Sequence, residues 1–355
     1  MLAVLRKLIE INGIGPVAGR IAVDLECYVR HTTPRRLLNL ALVGLQTVRH
    51  DSNVRGYPYR FYVEPTNACN LRCPYCLGWQ GRPHRPLGMM TLEQFRRVVD
   101  DVAPYAYWID LYNRGEPTLN PALPEMIAYA HSKGIGTKLS SNFNLRDASL
   151  PERLVWSGLD QLVIAVDGAT QETYSRYRVG GNLADVLENI RLAVNAKRLI
   201  RSRRPHILVR VLVNRYTEPE LATIKRLVAG LGVDGVFFFP IFVDPTDKQA
   251  ASEWLPENRK FSWYASDGRR LGTGQRYGAA CPELWQRGTI TWDGNIFPCC
   301  YIDDNRQTFG NVNDRPFTSV WQDDLYVASR TALGSRAAVE IETTCTRCRG
   351  ALKRK

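Results

Sequence analysis

Six strand-like segments alternate with helix-like segments between residues 59 and 243, and this alternation constrains the fold more than any other feature of the sequence. The strands are short apolar runs such as "QLVIAVDG" and "HILVRVLVN", separated by amphipathic stretches such as "ADVLENIRLAVNAKRL". Strands joined through helices predict a parallel sheet wound by right-handed crossovers. In such a fold the residues at the carboxyl ends of the strands meet at one rim, and the active site lies there.

Polar segments end four successive strands and should therefore share that rim. They are "PTNACNLRCPYC", "NRGEP", "SSN" and "DG". After residue 243 the alternation stops and residues 244–280 look loop-like. Beyond them, "TITWDGNIFP" predicts a hairpin that turns at Asp293–Gly294. Cysteines flank this hairpin, which indicates a small second domain stabilised by a metal.

The first 57 residues read as helices separated by breakers, so we expect an N-terminal helical extension (1–57), an α/β domain (58–243) and a small cysteine-bearing domain (244–355). Residues 1–60 contain nine Lys or Arg against four Asp or Glu. The third helix-like segment carries one apolar stripe: Leu37, Leu38, Ala41, Leu45 and Val48. Two interpretations stay open, an extension packed on the main domain or a basic amphipathic anchor on an anionic membrane.

Composition excludes some classes of function. The chain has 45% hydrophobic residues and a net charge of +12, and it lacks the run of about 18 apolar residues that a membrane span needs. Its N-terminus is charged too early for a signal peptide, so we expect a cytoplasmic protein with reduced thiols. The nine cysteines then indicate metal binding rather than disulfides. The positive charge suits an anionic substrate or membrane, or ordinary solvation, and without a nucleic-acid-binding module we expect no nucleic acid partner.

Three cysteines lie close together in the first polar segment, as Cys69-x3-Cys73-x2-Cys76. A structural zinc site takes four protein ligands, so three cysteines argue against zinc unless His84 is recruited. In a cubane iron–sulfur cluster, three cysteines leave one iron open to an outside ligand.

This cysteine motif, with Tyr75 before its last cysteine, resembles the signature of the radical S-adenosylmethionine (SAM) enzymes. "RGEP" is similar to the family's GGEP segment, and "SSN" to its polar third-strand end. The resemblance covers residues 59–243 and implies a partial (β/α)6 barrel of the TIM type, with a 4Fe–4S cluster on Cys69, Cys73 and Cys76. Arg114 stands where the family's first glycine is usual.

The resemblance also implies the residues that bind SAM. Gly115 and Glu116 match the segment that binds its amino group, although Glu116 also suits an ordinary helix start. The other expected cofactor-binding residues are Ser141 and Asn142 for the methionine carboxylate and ribose, Tyr75 for stacking on adenine, and the weaker matches Asp167 and Arg178, for which surface or structural roles are an equal alternative. Arg210 is expected to bind a ligand for a different reason, because it alternates with Val209 and Val211 on a strand and an inward charged residue in a barrel strand usually has a ligand.

The C-terminal segment resembles the SPASM/Twitch extension of these enzymes, an α+β iron–sulfur domain. The resemblance implies one auxiliary 4Fe–4S cluster on Cys281, Cys299, Cys345 and Cys348, with a zinc ribbon as the alternative. Cys300 is left over. It is either a buried structural thiol or a hydrogen-atom donor to a substrate radical, as in epimerases of this family.

The function implied is reductive cleavage of SAM to a 5′-deoxyadenosyl radical, which removes hydrogen from a small anionic or sugar- or cyclitol-like substrate in an oxidation or rearrangement. Flavodoxin or ferredoxin would supply the electron. The alternatives are an epimerase that uses Cys300, a peptide- or lipid-modifying enzyme, and a non-enzymatic iron–sulfur redox or binding module.

Overall fold

Strands and helices follow one another in the predicted order in the computed structural model, which describes residues 2–76, 85–244, 246–264, 281–302, 304–334 and 339–348. The strands are β1 Arg60–Val63, β2 Trp108–Asp110, β3 Gly136–Ser141, β4 Gln161–Ala165, β5 His206–Val213, β6 Gly235–Pro240, β7 Arg287–Ile290, β8 Asn295–Phe297 and β9 Gly310–Asn311. The helices are α1 Leu2–Asn12, α2 Ile14–His31, α3 Pro34–Arg49, α4 Leu92–Val102, α5 Leu123–Ser132, α6 Leu150–Trp156, α7 Gln171–Tyr177, α8 Leu183–Leu199, α9 Leu221–Ala229, α10 Lys248–Trp254, α11 Glu283–Gln286, α12 Phe317–Val320 and α13 Asp324–Gly334.

The chain divides into two compact units, each built from several stretches of sequence. The first unit comprises residues 1–26, 69–80 and 138–273, and the second comprises 27–68, 81–137 and 274–355. The fold class is confirmed as α/β, a partial barrel of the TIM type with N-terminal helices and a small C-terminal α+β domain. The domain boundaries expected from the sequence stay a prediction.

In the first unit, β3, β4, β5 and β6 pair in that order, all parallel. Leu162 and Ile164 on β4, and Val209 and Val211 on β5, are fully buried. Continuous apolar strands of this kind are typical of parallel sheets covered by helices. Their carboxyl ends carry Asn142 and the residues that follow β4 and β5, as the strand pattern predicts.

In the second unit, β1 lies between β2 and β7 and pairs with both in parallel. The β7–β8 hairpin turns at Asp293–Gly294 as predicted, with Gly294 at φ +85°. Because β7 uses the second edge of β1, the backbone groups of that edge are satisfied within the protein. The hairpin was predicted from the sequence, but its place beside β1 was not.

The segment 244–280 is not loop throughout. Residues 248–254 form α10, which begins at Asp247, whose side chain accepts a hydrogen bond from the backbone N–H of Ala250. The expectation of a loop was wrong for this short helix, because the segment around it is rich in Asp, Gly and Arg, which are typical of loops. Residues 265–280 and His84 lie outside the described residues.

Helix α3, which belongs to the second unit, packs within it through its polar side. Arg36 donates to the carbonyls of Ala103 (2.8 and 3.1 Å) and Lys133 (3.1 Å). Asn39 exchanges two hydrogen bonds of 2.8 Å with the backbone of Tyr57. Gln46 likewise accepts from a backbone N–H, that of Gly56, at 3.0 Å. Polar contacts, together with the buried Val43, therefore hold α3 in place, and the packing of the whole 1–57 extension stays a prediction.

The apolar stripe of α3 faces outward. Leu37 is 56% exposed, Leu38 63%, Leu45 46% and Val48 78%. A helix of a globular protein ordinarily turns such a stripe to the core. Here the three polar side chains fix the opposite orientation, because their backbone partners would otherwise be buried without hydrogen bonds.

We therefore expect Asn39→Ala to destabilise the protein more than Leu38→Ala. The first change leaves two backbone groups of Tyr57 without partners, at a cost of about 1–3 kcal/mol in the free energy of unfolding. The second removes an exposed side chain and changes that free energy by less than about 0.5 kcal/mol. Urea denaturation followed by circular dichroism compares the two midpoints. The reverse order would show that the stripe packs inward.

Candidate active site and cysteine centres

The cysteine loop of the first unit surrounds its sulfur atoms with N–H donors. Cys69 Sγ accepts from the backbone N–H of Leu71 at 3.4 Å and from Asn142 Nδ2 at 4.0 Å. Cys73 Sγ accepts from Arg178 Nη1 at 3.7 Å. Cys76 closes a turn, since its N–H donates to the carbonyl of Cys73 at 3.2 Å. N–H groups aimed at sulfur stabilise thiolates and tune the iron–sulfur clusters that thiolates hold.

Arg178 is a buried cation beside this loop. Its Nε donates to Asp167 Oδ2 at 2.6 Å, and Asp167 Oδ1 accepts from the N–H of Leu212, also at 2.6 Å. Burial opposes its charge, but Asp167 and Cys73 raise the pKa of Arg178 well above its ordinary value. Burial raises the pKa of Cys73, while Arg178 opposes that rise. The two residues expected to contact SAM thus pair with each other, and Arg178 also contacts a cysteine.

An aromatic cluster supports the same loop. Trp254, at the end of α10, makes edge contacts with Tyr75, Tyr177 and Tyr216, with ring centroids 5.5, 5.8 and 5.4 Å apart. Cys73 belongs to the same buried cluster. Sequence patterns did not indicate this role of Trp254, because the residue lies in a segment without periodicity and far along the chain from the cysteine loop. Tyr75 contacts this tryptophan, and its stacking on adenine stays a prediction.

The end of β3 is held by short side-chain bonds. Asn142 Nδ2 donates to Asn70 Oδ1 at 2.8 Å, and its Oδ1 accepts from the N–H of Asn144 at 2.8 Å. Ser141 Oγ accepts from the N–H of Phe143 at 2.8 Å. These bonds place Asn142 next to the residue that follows Cys69, so one predicted polar segment does meet another.

Arg210 lies on β5, two strands along the sheet from β3. Its Nε is buried and has no hydrogen-bond partner in the described parts of the chain. A buried donor without a partner destabilises the folded protein. A bound ligand that accepts a hydrogen bond from Arg210 Nε would remove this cost. This observation agrees with the predicted role of Arg210 in binding a cofactor or substrate.

The RGEP segment lies in the second unit and requires glycine at one position only. Gly115 has φ +72°, and a Cβ atom there would lie 2.5 Å from the carbonyl oxygen of Ala68 and 2.6 Å from the carbonyl carbon of Asn67. Arg114 is not among the residues with positive φ, so a side chain is accommodated where the family has glycine. The N–H of Glu116 donates to the carbonyl of Ala68 at 2.7 Å. The segment is thereby fixed to the residue immediately before Cys69.

Glu116 is 3% exposed and caps a short 3-10 helix, Pro117–Leu119. Its Oε1 accepts from the N–H of Thr118 at 3.2 Å and from its hydroxyl at 2.7 Å. The structure therefore contains the ordinary helix-start role of Glu116. Binding of the SAM amino group stays a prediction.

Glu64 connects three loops of the second unit. Its carboxylate accepts from Arg85 Nη2 at 2.7 Å, from the N–H of Arg114 at 3.1 Å and from the N–H of Trp292 at 3.5 Å. Glu64 is fully buried, and burial raises its pKa while Arg85 opposes that rise. Sequence analysis assigned no role to Glu64, although its position directly after β1 could have indicated one.

Polar residues also line the β1–β7 region. Arg60 makes a two-pronged bond to Asp110, and Arg287 donates to the Tyr62 hydroxyl at 3.3 Å and to Glu283 at 3.0 Å. Burial raises the pKa of Tyr62 beyond its usual range, so its hydroxyl stays protonated.

Cys300 lies close to this polar group. Burial raises its pKa to about 12, negative charge on Cys299 and Glu283 adds to the rise, and Arg287 and Arg114 oppose it. Arg114 Nη2 also donates to the carbonyl of Tyr301 at 3.3 Å. Neither expected role of Cys300, structural thiol or hydrogen donor, is distinguished by these contacts.

Of the four C-terminal cysteines, Cys345 is buried, Cys281 and Cys299 are half-buried and Cys348 is exposed. Burial raises the pKa of Cys281 to about 12, and Glu283, Cys299 and Cys348 contribute negative charge. Burial raises the pKa of Cys345 as well, with contributions from Cys299, Cys281 and Cys348.

Hydrogen-bond donors surround these sulfurs too. Cys299 accepts from the backbone N–H groups of Tyr301 and Ile302, and Cys345 from the Ser329 side chain. Across the described residues, no three His, Cys, Asp or Glu side chains are gathered as ligands of one metal ion. Four thiols with N–H and O–H donors are nevertheless a donor set that suits an iron–sulfur cluster.

Comparison with known proteins agrees with both centres. Residues 63–228 match the model of the radical SAM superfamily, and residues 281–349 match SPASM, an iron–sulfur cluster-binding domain. The chain is 22% identical to the AdoMet-dependent heme synthase of Methanosarcina barkeri over 73% of its own length and 80% of the relative's. It is 26% identical to the mycofactocin maturase MftC of Mycobacterium ulcerans, covering 73% of each chain.

The crystal structure of Streptococcus suis SuiB bound to S-adenosylmethionine superimposes with a TM-score of 0.58 at 13% identity, over 81% of this chain and 70% of that one. This likeness concerns the fold.

The chain therefore belongs to the radical SAM enzymes, proteins with a 4Fe–4S cluster and SAM as cofactors. Within that superfamily it is one of the members with a C-terminal SPASM domain, which adds auxiliary iron–sulfur binding. The donor sets at Cys69–Cys76 and Cys281–Cys348 fit these clusters, and the unpartnered Nε of Arg210 fits a bound ligand.

We expect Arg178 to raise the reduction potential of a cluster held by Cys73, because its charge and its N–H···S bond favour the more negative reduced state. Arg178→Met alone would leave Asp167 buried and unpaired, at a cost of about 3–5 kcal/mol. The test therefore compares Asp167→Asn with Asp167→Asn/Arg178→Met, both carrying Cys345→Ala so that one cluster titrates. A redox titration followed by electron paramagnetic resonance should give the more negative potential for the variant without Arg178. Equal potentials would contradict this role.

Proposed function

We propose that this protein cleaves SAM reductively and removes a hydrogen atom from a small polar substrate that carries negative charge, in an oxidation or rearrangement. The observation that carries the proposal is the set of N–H donors aimed at Cys69 and Cys73 by Leu71, Asn142 and Arg178. When bound, the cluster and SAM supply the electron and the 5′-deoxyadenosyl radical. The protein positions the reacting groups and excludes water from them.

In this proposal Cys69, Cys73 and Cys76 hold the cluster that meets SAM. Gly115 and Glu116 bind the amino group of SAM. Ser141, Asn142 and Arg210 bind its remaining polar groups, and Tyr75 contacts the adenine. Asp167 acts by holding Arg178 against Cys73, at 2.6 and 3.7 Å respectively. Cys281, Cys299, Cys345 and Cys348 hold the auxiliary cluster, and flavodoxin or ferredoxin supplies electrons.

The polar group near Cys300 supports the substrate class. Arg114 and Arg287 place two guanidinium groups near that thiol, and the Tyr62 hydroxyl lies 3.3 Å from Arg287. Guanidinium groups bind carboxylates and phosphates, and a phenol binds hydroxyls, so a sugar acid, a phosphorylated sugar or a related cyclitol fits this chemistry. The relative named a heme synthase makes a tetrapyrrole one competing substrate class, and the relative named PqqA peptide cyclase makes a peptide another.

Two cysteine variants test the proposed centres. In the anaerobically reconstituted protein reduced with dithionite, Cys73→Ala should abolish 5′-deoxyadenosine formation. Cys345→Ala should instead remove about four of about eight irons per chain while SAM cleavage persists. Chromatography of 5′-deoxyadenosine and an iron assay provide the readouts. Full SAM cleavage by Cys73→Ala would refute the assignment, and zinc in place of iron would refute the auxiliary cluster.

The substrate class is tested with fractionated cell extract. We expect a small anionic fraction to accelerate 5′-deoxyadenosine formation by the wild type. Arg114→Gln should weaken that acceleration, while Arg114→Lys retains most of it because the positive charge is kept. Acceleration by a fraction that a protease inactivates would favour a peptide substrate and refute this class, while the SAM-cleaving activity itself would stand.

A further inference from the structure

Helix α3 displays the side that a soluble helix ordinarily buries. Its polar residues Arg36, Asn39 and Gln46 are 5%, 4% and 7% exposed, whereas Leu38 and Val48 are 63% and 78% exposed. The exposed row of α3 is the set of apolar and small residues on that outer side: Leu37, Leu38, Ala41, Leu45 and Val48.

The orientation of α3 is fixed by buried bonds. Arg36 satisfies the carbonyls of Ala103 and Lys133, which are the C-terminal cap residues of α4 and α5. Asn39 satisfies both backbone groups of Tyr57 at 2.8 Å. Rolling the helix to bury the exposed row would break all of these bonds in a buried place. The exposed row is therefore a lasting feature of the folded protein.

Helix α2 shows the same feature independently. Ile21, Leu25 and Val29 are 44%, 57% and 80% exposed and recur at intervals of four residues, so they lie along one side of the helix. Val17 and Cys27, at 6% and 4%, lie on the buried side.

The concentration of exposed apolar residues on these two helices is not accidental. Eight of the seventeen large apolar side chains found exposed in the described residues belong to α2 and α3, which are helices of 18 and 16 residues. Exposed apolar side chains that line one side of a single helix, as they do on α3, favour an interaction site over ordinary surface.

Charge identifies the partner. Helix α3 contains three arginines and no carboxylate, and Arg35 and Arg49 near its two ends are exposed, as is Arg55 after it. The chain carries a net charge of +12, which opposes association with a second copy of itself. None of the described helices combines the length and the apolar character that spanning a membrane requires.

We propose that the exposed row of α3, with Arg35, Arg49 and Arg55, binds the surface of a membrane that contains anionic lipid. The aliphatic side chains enter the boundary between head groups and acyl chains, while the guanidinium groups remain at the anionic head groups. This inference concerns where the protein works and does not depend on its proposed reaction.

Vesicle flotation with the full-length reconstituted protein tests the proposal. Vesicles of phosphatidylcholine with about one third phosphatidylglycerol should carry the protein to the top of the gradient, and those of phosphatidylcholine alone should carry much less. Added salt should weaken the binding. Failure to bind anionic vesicles, or equal binding to both kinds, would overturn the proposal.

Paired variants locate the surface. Leu38→Gln/Val48→Gln should lower the partition coefficient about ten-fold or more, because the apolar contribution is lost. Arg49→Gln/Arg55→Gln should lower it about twenty-five-fold, at about five-fold for each arginine. Leu199→Gln/Ile200→Gln is the matched control, since these side chains are 75% and 48% exposed at the end of α8, and it should bind as the wild type does.

Circular dichroism and iron content verify that each variant is folded. Unchanged binding by Leu38→Gln/Val48→Gln would overturn the role of α3. A dimer in analytical ultracentrifugation that this variant abolishes, without vesicle binding by the wild type, would assign the surface to a second copy and likewise overturn the proposal.

Discussion

One buried carboxylate organises the second unit. The Glu64 carboxylate accepts hydrogen bonds from the Arg85 side chain and from the backbone N–H groups of Arg114 and Trp292. These bonds fix the end of β1, the RGEP segment and the β7–β8 hairpin relative to one another. Removal of one partner from a buried ion pair costs about 3–5 kcal/mol, because the other charge is left uncompensated. The geometry of the RGEP segment therefore depends on the hairpin of the iron–sulfur domain as well as on its own glycine.

Both cysteine centres have hydrogen-bond donors directed at their sulfur atoms, but the donors differ between the two. In the first unit, donors come from a backbone N–H, an asparagine and an arginine toward Cys69 and Cys73. In the second unit, backbone N–H groups donate hydrogen bonds to Cys299, and a serine side chain donates one to Cys345. Among the residues that the structure describes, a cation contacts a cluster cysteine only at the first centre, where Arg178 lies 3.7 Å from Cys73 Sγ. Because positive charge favours cluster reduction, this difference separates the electronic environments of the two centres.

Much of the fold could be predicted because its signals are local. Apolar runs and amphipathic stretches predicted the alternating elements, and Asp293–Gly294 predicted the hairpin turn. The pairing of β7 with β1 joins residues distant in sequence, so no local pattern reports it. The contact between Trp254 and the cysteine loop escaped for the same reason.

The cysteines and the strand-end segments of the proposed site stay a prediction, whereas the way its charges pair is visible in the structure and was not expected from the sequence. Asp167 and Arg178 each looked like a cofactor contact, yet they bind each other, since a buried charge needs a partner. The side of α3 that packs also escaped prediction. Periodicity places the leucines on one side, but only the distant carbonyls of Ala103 and Lys133 decide that Arg36 points inward.

The polar docking of α3 makes this helix part of the fold of the second unit rather than an appendage. Arg36 caps the ends of two helices, and Tyr28 covers the fully buried Tyr107, with ring centroids 4.8 Å apart. A chain trimmed to begin at residue 58 would thus expose aromatic surface and leave helix ends uncapped, a hypothesis that the solubility of such a chain would check. If these helices were exchanged between relatives, the segments whose backbone carbonyls accept hydrogen bonds from Arg36 would have to be exchanged with them.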